Sequence, residues 1–433
     1  MGHSDWKPAR RSVACSFCCT CCCCPLVALL FAAVALPSTF DGSGQPGDVL
    51  RRELQADIIT ALETNDWSAV DAGFGKKNAA LIIGDSTGVR WEREHGWMSL
   101  DGEYALASQT KFITALTIYR LMAKSNGRLT PQSRVAKFIH PWPKEPGSAA
   151  ANVTLAQLLA FTTGFDKDSA SKITCARAAE DSEVTWVNCI DEIAEIPIEH
   201  TPGHTYLYGP WHMVVAAAVA HLAVGKPITG PAWLESVRRE VFEPAGITEP
   251  VCYDGVLSDF PAFYPVLGSW YTGNPGTKYP DFAGGMRMTG RQWQKVLHAF
   301  QFGGLLDSAA MASLTAVHTA EVNQAFDLRA GSYGYAQGCW RVCDAAAEEE
   351  AETGKTLTVQ ERREMCNGTD PHPRVVHSIG AWGYYAWMDL THGYYGVLVY
   401  SFAVSIVRLF WVGLFVAMFV SLVTFCCCIR FHE

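Results

Sequence analysis

The chain has 433 residues, enough for one large or two modest domains with a sizeable core. Its formal net charge of −9, with no block of basic residues, argues against nucleic acid as a partner. Of its 16 cysteines, seven lie between Cys15 and Cys24, three at Cys426 to Cys428 and six between these groups.

At the amino end, Lys7, Arg10 and Arg11 precede an apolar stretch from Pro25 to Leu36 that closes on Ala33, Val34 and Ala35. That pattern fits a cleaved signal peptide or, uncleaved, a short signal anchor. Gly42 to Gly47 reads as a linker and Asp48 to Thr64 as an amphipathic helix. Ala79 to Ile83 and Val89 to Trp97 read as strands around the turn Asp85, Ser86, Thr87, Gly88.

The stretch Tyr104 to Leu129 carries the chemistry. Ser108 opens an apolar helical run, and Lys111, one turn on, projects from the same face. An amine so placed can take the hydroxyl proton, although a serine cap beside a solvated lysine gives the same four letters. Further on, Thr154 caps a short helix ended by Thr162, Thr163 and Gly164. A Pro202-Gly203 turn and a short aromatic strand lead to a helix of small residues ending at Gly225, and Trp233 to Val241 reads as another helix. Phe282 to Arg287 is a glycine-containing bend before a helix over Thr289 to Phe300. Tyr333 to Val342, Val375 to Asp389 and Tyr394 to Tyr400 read as strands. Strands at both ends with helices between predict a mixed α/β (α+β) fold whose sheet joins distant parts of the chain.

Residues 343–370 form an acidic, cysteine-bounded insertion around Glu348, Glu349 and Glu350, with Cys343 and Cys366 as one way to close it. Gly354-Lys355-Thr356 has P-loop letters without the spacing, since Glu349 stands where the first glycine belongs. At the carboxyl end, Ser401 to Ile429 is almost wholly apolar and long enough for a transmembrane helix, with Arg430 at its cytosolic side; a buried terminal helix is the alternative. Cysteines flanking both apolar segments point to S-palmitoylation rather than a zinc cluster, because contiguous cysteines cannot all converge on one ion. Residues 41–400 then face the lumen or the outside, where the sequons at Asn152 and Asn367 are usable and the six middle cysteines can pair.

Several landmarks occur together and in order: ASQTK at the head of a helix, TLAQLLAFTTGF, PGHTYLYGP, VFEPAGIT, AGGMRMTGRQW and a late HSIGAWG. Over roughly Asp48 to Tyr400 the chain resembles the class C β-lactamase-like serine hydrolases, which include D-Ala-D-Ala carboxypeptidases and carboxylesterases. The resemblance implies a β-lactamase/transpeptidase-like fold, an antiparallel sheet flanked by helices beside an α-helical lobe, with the site between them. It makes Ser108 the acylated nucleophile, Lys111 its activating neighbour and Tyr208 a proton shuttle. In the third motif, Ser378, Ile379 and Gly380 match, with the Ala381 N–H joining that of Ser108 in an oxyanion hole; another register begins at His377 and uses Gly380 as donor.

Two departures stand out. Pro210 occupies the place of the asparagine that normally follows the second-motif tyrosine, removing an amide that positions lysine and substrate. His212 is nearby, and a satisfied structural histidine is its simpler reading. The third motif has no lysine, so ester or small acyl substrates are expected over carboxylate-bearing β-lactams. The sequence thus predicts a membrane-anchored serine hydrolase acting on a small-molecule or peptide acyl substrate, without metal or cofactor. Its alternative is a catalytically dead relative kept as a binding ectodomain, and the oligomeric state is left open.

Overall fold

The computed structural model describes residues 46–75, 78–173, 175, 185–249, 251–253, 280–318, 333–342, 349, 352–355, 357–358, 361, 364–366, 374–380 and 383–400. The chain divides into two compact units, Asp41–Ile406 and a second made of Met1–Phe40 with Val407–Glu433; the second lies outside the described residues. The expected signal segment and carboxyl-terminal membrane span both lie outside the described residues. Among the described residues no helix is long and apolar enough to cross a membrane.

Helices α1 (Pro46–Thr64) and α2 (Ser68–Phe74) lead into the hairpin β1 (Ala79–Asp85) and β2 (Gly88–His95). The Asp85 carboxylate accepts the Thr87 N–H at 2.8 Å, and Gly88 takes φ 113°, so the turn has the chemistry its residues predict. After β3 (Tyr104–Ala105) comes a 3₁₀ turn, Ala107–Gln109, and then α3 (Thr110–Ala123). The lobe that follows contains α4 (Leu155–Leu159), α5 (Lys167–Lys172), α6 (Trp186–Ala194), α7 (Trp211–Ala223) and α8 (Gly230–Val237), the last continued by a π turn over Arg238–Phe242. Then come β4 (Cys252–Tyr253), β5 (Met286–Met288), α9 (Gly290–Gln301), α10 (Ser308–Thr315), β6 (Tyr333–Tyr335), β7 (Trp340–Val342), β8 (Val375–Gly380), β9 (Tyr384–Asp389) and β10 (Tyr394–Tyr400). Thr154 and Thr289 cap α4 and α9 with full capping boxes, to Gln157 and Gln292.

One antiparallel sheet has the order β2-β1-β10-β9-β8-β7-β6, and a small one the order β3-β5-β4. β1 pairs with β10 from Ala79↔Tyr400 to Asp85↔Tyr394, so the first strand is completed by the last. α3 is buried nearly all round, as suits a helix at the centre of a domain. Its three buried threonines are satisfied: Thr117 donates to the Ile113 carbonyl, Thr114 to that of Phe282, and Thr110 Oγ1 accepts from the Met286 N–H. Phe112 packs edge-on against Trp293 and Phe300, at 6.1 and 5.2 Å between ring centres, and so locks α3 onto α9.

Three features differ from the sequence reading. The run Tyr333 to Val342 is a hairpin, folded back at Ala336–Cys339 around Gly338 at φ 81°, and Val375 to Asp389 likewise splits into two strands. The small sheet was not foreseen, because two- and three-residue strands have no readable period. The six middle cysteines do not all pair: Cys175 bonds Cys189, whereas Cys339 is free and buried, with its thiol pushed up to about 12 by desolvation. Cys366 is also disulfide-bonded, and Cys343 lies outside the described residues.

Candidate active site

Ser108 sits in the 3₁₀ turn between β3 and α3, with its N–H in the first turn, where helix amides have no partner from the ladder. The residue before it, Ala107, has φ 47°, a left-handed conformation that costs a non-glycine residue about 1–2 kcal/mol. The surrounding fold holds it there: the Leu106 N–H donates to the Met286 carbonyl at 2.8 Å, and Gln109 N–H to that of Leu106 at 3.1 Å.

Lys111 is 4 % exposed. Its Nζ lies 3.1 Å from Ser108 Oγ, donates to the Ala283 carbonyl at 2.8 Å, and stands 4.6 Å from the centre of the Tyr208 ring. The amine therefore has one direction fixed by a carbonyl, one face covered by an aromatic ring and one direction aimed at the serine. A bulky Cβ at position 338 is impossible here, since it would stand 2.7 Å from the Lys111 carbonyl and 2.8 Å from Ala115 Cβ. Gly338 lets the β6–β7 hairpin tip close against α3, and its N–H donates to Leu159 at 3.1 Å.

Tyr208 is held in an aromatic cluster. Its ring meets Phe161 edge-on at 5.0 Å and stacks on Trp340 at 6.5 Å, and Tyr335 lies 6.3 Å away. Trp340 comes from β7 and Tyr335 from the edge strand β6, so the hairpin at the far end of the sheet positions the tyrosine of the helical lobe. Pro210 begins α7 as its cap residue. Two residues on, His212 is fully buried between Phe161 and Phe165. The Gly209 carbonyl, 3.3 Å from Nδ1, can only accept, so Nδ1 carries the proton and Nε2 accepts from Thr163 Oγ1 at 2.9 Å. Both ring nitrogens are used, which makes His212 a structural group.

Of the third motif, β8 presents Ser378 and Gly380 on one strand face and His377 on the other, by the two-residue period. A Cβ at Gly380 would lie 2.5 Å from the Leu106 carbonyl, so this face meets the nucleophile turn, and glycine permits the approach. His377 lies opposite Trp340 across β7 and stacks on Tyr385 at 5.5 Å. Ala381 falls outside the described residues. Among the described residues no cluster of His, Cys, Asp or Glu is arranged to hold a metal ion.

The bend expected from Phe282 is present as a turn over residues 282–284 leading into β5, but the part played by Asp281 at its head was not foreseen. Asp281 Oδ1 accepts from Ala283 N–H at 2.8 Å and Gly284 N–H at 3.0 Å, fixing a turn whose carbonyls bind α3 through Lys111 and Thr114. Aspartate two residues before an Ala-Gly-Gly run is the signal that could have found it, since Asp side chains bond backbone amides two residues on.

Burial lowers the His212 pKa to about 3 and that of His221 to about 4. Both stay neutral in the folded chain while the unfolded chain protonates near 6.5, so their contribution is intact above pH 6.5 and is lost as pH falls toward 4 and 3. Each histidine then removes up to about 1.4 kcal/mol per pH unit. Chemical denaturation at a series of pH values should show this fall, with a shallower one in a His221→Gln variant.

The chain belongs to the β-lactamase family: the family model described as Beta-lactamase matches residues 70–410. Its fold is that of β-lactamases and penicillin-binding proteins. Among solved structures it is similar to an octameric penicillin-binding protein homologue from Pyrococcus abyssi, with 14% identity, TM-score 0.53 and coverage of 84% of this chain and 77% of that one. It is similar also to EstCE1, a hydrolase with promiscuous acyltransferase activity (14% identity, TM-score 0.52, 82% and 95% covered). A third is a penicillin-binding protein from Bacillus halodurans (15% identity, TM-score 0.50, 78% and 95% covered). No curated protein matches the chain.

Proposed function

We propose that the protein is a serine hydrolase that cleaves an ester or amide through an acyl-enzyme on Ser108. The observation that carries this reading is the buried Lys111 amine 3.1 Å from Ser108 Oγ, with its second direction fixed on the Ala283 carbonyl. A serine hydroxyl needs a base within hydrogen-bond reach, and the Lys111 amine is the group placed to be that base. Its lone pair takes the Ser108 proton as Oγ attacks the substrate carbonyl. By the family's pattern the resulting oxyanion is held by the Ser108 N–H and by that of Ala381 or, in the other register, Gly380, each worth about 3 kcal/mol in the transition state. The ammonium then returns the proton to the leaving group, with Tyr208 as relay, and water repeats the sequence to release the acid. Ser378 and Gly380 line the substrate strand, and His377 supports it from its other face.

An ester or small acyl group suits a third motif without lysine. The apolar run at 401–429 and the Cys175–Cys189 disulfide support a membrane-anchored protein with this domain in an oxidising lumen or outside the cell. Turnover of a chromogenic acyl ester by the full chain is the test: it is expected in the wild type and absent in Ser108→Ala. Undiminished turnover in the variant would refute the reading.

A further inference from the structure

We propose that Asp281 is a positioning residue for Lys111, and that it takes over the task left open by Pro210. The inference rests on Lys111 acting as the base for Ser108. In the second motif, Pro210 offers no side-chain amide, so the lysine must be oriented from elsewhere. The structure supplies one direction from the Ala283 carbonyl, 2.8 Å from Nζ. That carbonyl belongs to a tight turn with Asp281 at its head.

Asp281 is 3 % exposed. Its Oδ1 accepts from two successive amides, Ala283 N–H and Gly284 N–H, and its own carbonyl accepts from Gly285 N–H at 3.1 Å. These bonds orient the peptide planes on either side of residue 283. The same segment is bound to α3 on both sides of the lysine: Thr114 Oγ1 donates to the Phe282 carbonyl at 2.7 Å, and Met286 N–H donates to Thr110 Oγ1 at 3.2 Å. A carbonyl so held is a fixed acceptor, and it uses one N–H of the amine. The Tyr208 ring covers a second direction, 4.6 Å from Nζ, which leaves the direction of Ser108 Oγ for proton exchange. Without the carboxylate the turn has no side-chain acceptor for its two amides, the carbonyl rotates, and Lys111 loses its bearing on the serine while the substrate surface on β8 is untouched.

The test compares Asp281→Ala, Asp281→Asn and Asp281→Glu with wild type and Ser108→Ala, using the full chain and a chromogenic acyl ester. Asp281→Ala is expected to lower kcat on the order of 100-fold with little change in KM, the scale of a misplaced catalytic group. Asp281→Asn keeps an oxygen that accepts from the same two amides and should restore most of kcat. Asp281→Glu keeps the charge but misplaces the oxygen, and should fall with the alanine variant; it carries the test if the alanine variant does not fold. Wild-type kcat in folded Asp281→Ala or Asp281→Glu overturns the proposal, as does an asparagine variant as impaired as the alanine one. Turnover that survives in Ser108→Ala would instead overturn the acyl-enzyme reading.

Discussion

Replacing Lys111 with methionine should lower kcat for an acyl ester by about a thousandfold, within the range general base catalysis contributes, and leave KM within a few-fold. Methionine has similar length and suits a site that is 4 % exposed, so the fold should persist. What it removes is the atom 3.1 Å from Ser108 Oγ and the donor to Ala283. The orphaned carbonyl adds about 1–3 kcal/mol of destabilisation, to be read in a denaturation curve beside the kinetics. Steady-state rates across pH supply the check. A variant with wild-type kcat would place the base elsewhere in the site.

A Gly380→Ala variant should be damaged through a different route. The added methyl would lie 2.5 Å from the Leu106 carbonyl and 3.2 Å from Tyr384 Cβ. The first of these is backbone, so it cannot swing aside. Either the end of β8 or the turn carrying Ser108 must retreat, at an overpacking cost of about 1–3 kcal/mol. A shift approaching an ångström between the nucleophile and the strand that binds substrate lowers kcat/KM on the order of 100-fold. Kinetics with an ester series measure it, and unchanged kcat/KM in a folded Gly380→Ala protein would show that the two elements do not cooperate.

The parts of this protein that were readable in sequence are those decided by near neighbours. The Asp85 to Gly88 turn, the Thr154 cap and the pairing of Ser108 with Lys111 all depend on residues within one helical turn or one hairpin. Family landmarks extended that reach to the fold. What stayed hidden depends on contacts across the chain. Lys111 meets Ala283 172 positions later, and the Gly338 tip packs on the Lys111 carbonyl from a hairpin whose strands have three residues each. No periodicity reports such a meeting. The reading of His212 was correct for the same local reason: three residues separate it from the carbonyl that fixes its tautomer.

The most direct test of the account is the position of a covalent adduct after the full-length protein is treated with a fluorophosphonate. Mass spectrometry of the digested protein should find the phosphonyl group on Ser108, and Ser108→Ala should remain unlabelled. Failure of the folded wild type to react, or labelling that persists in Ser108→Ala, would contradict the claim that Ser108 and Lys111 form an acyl-transfer site.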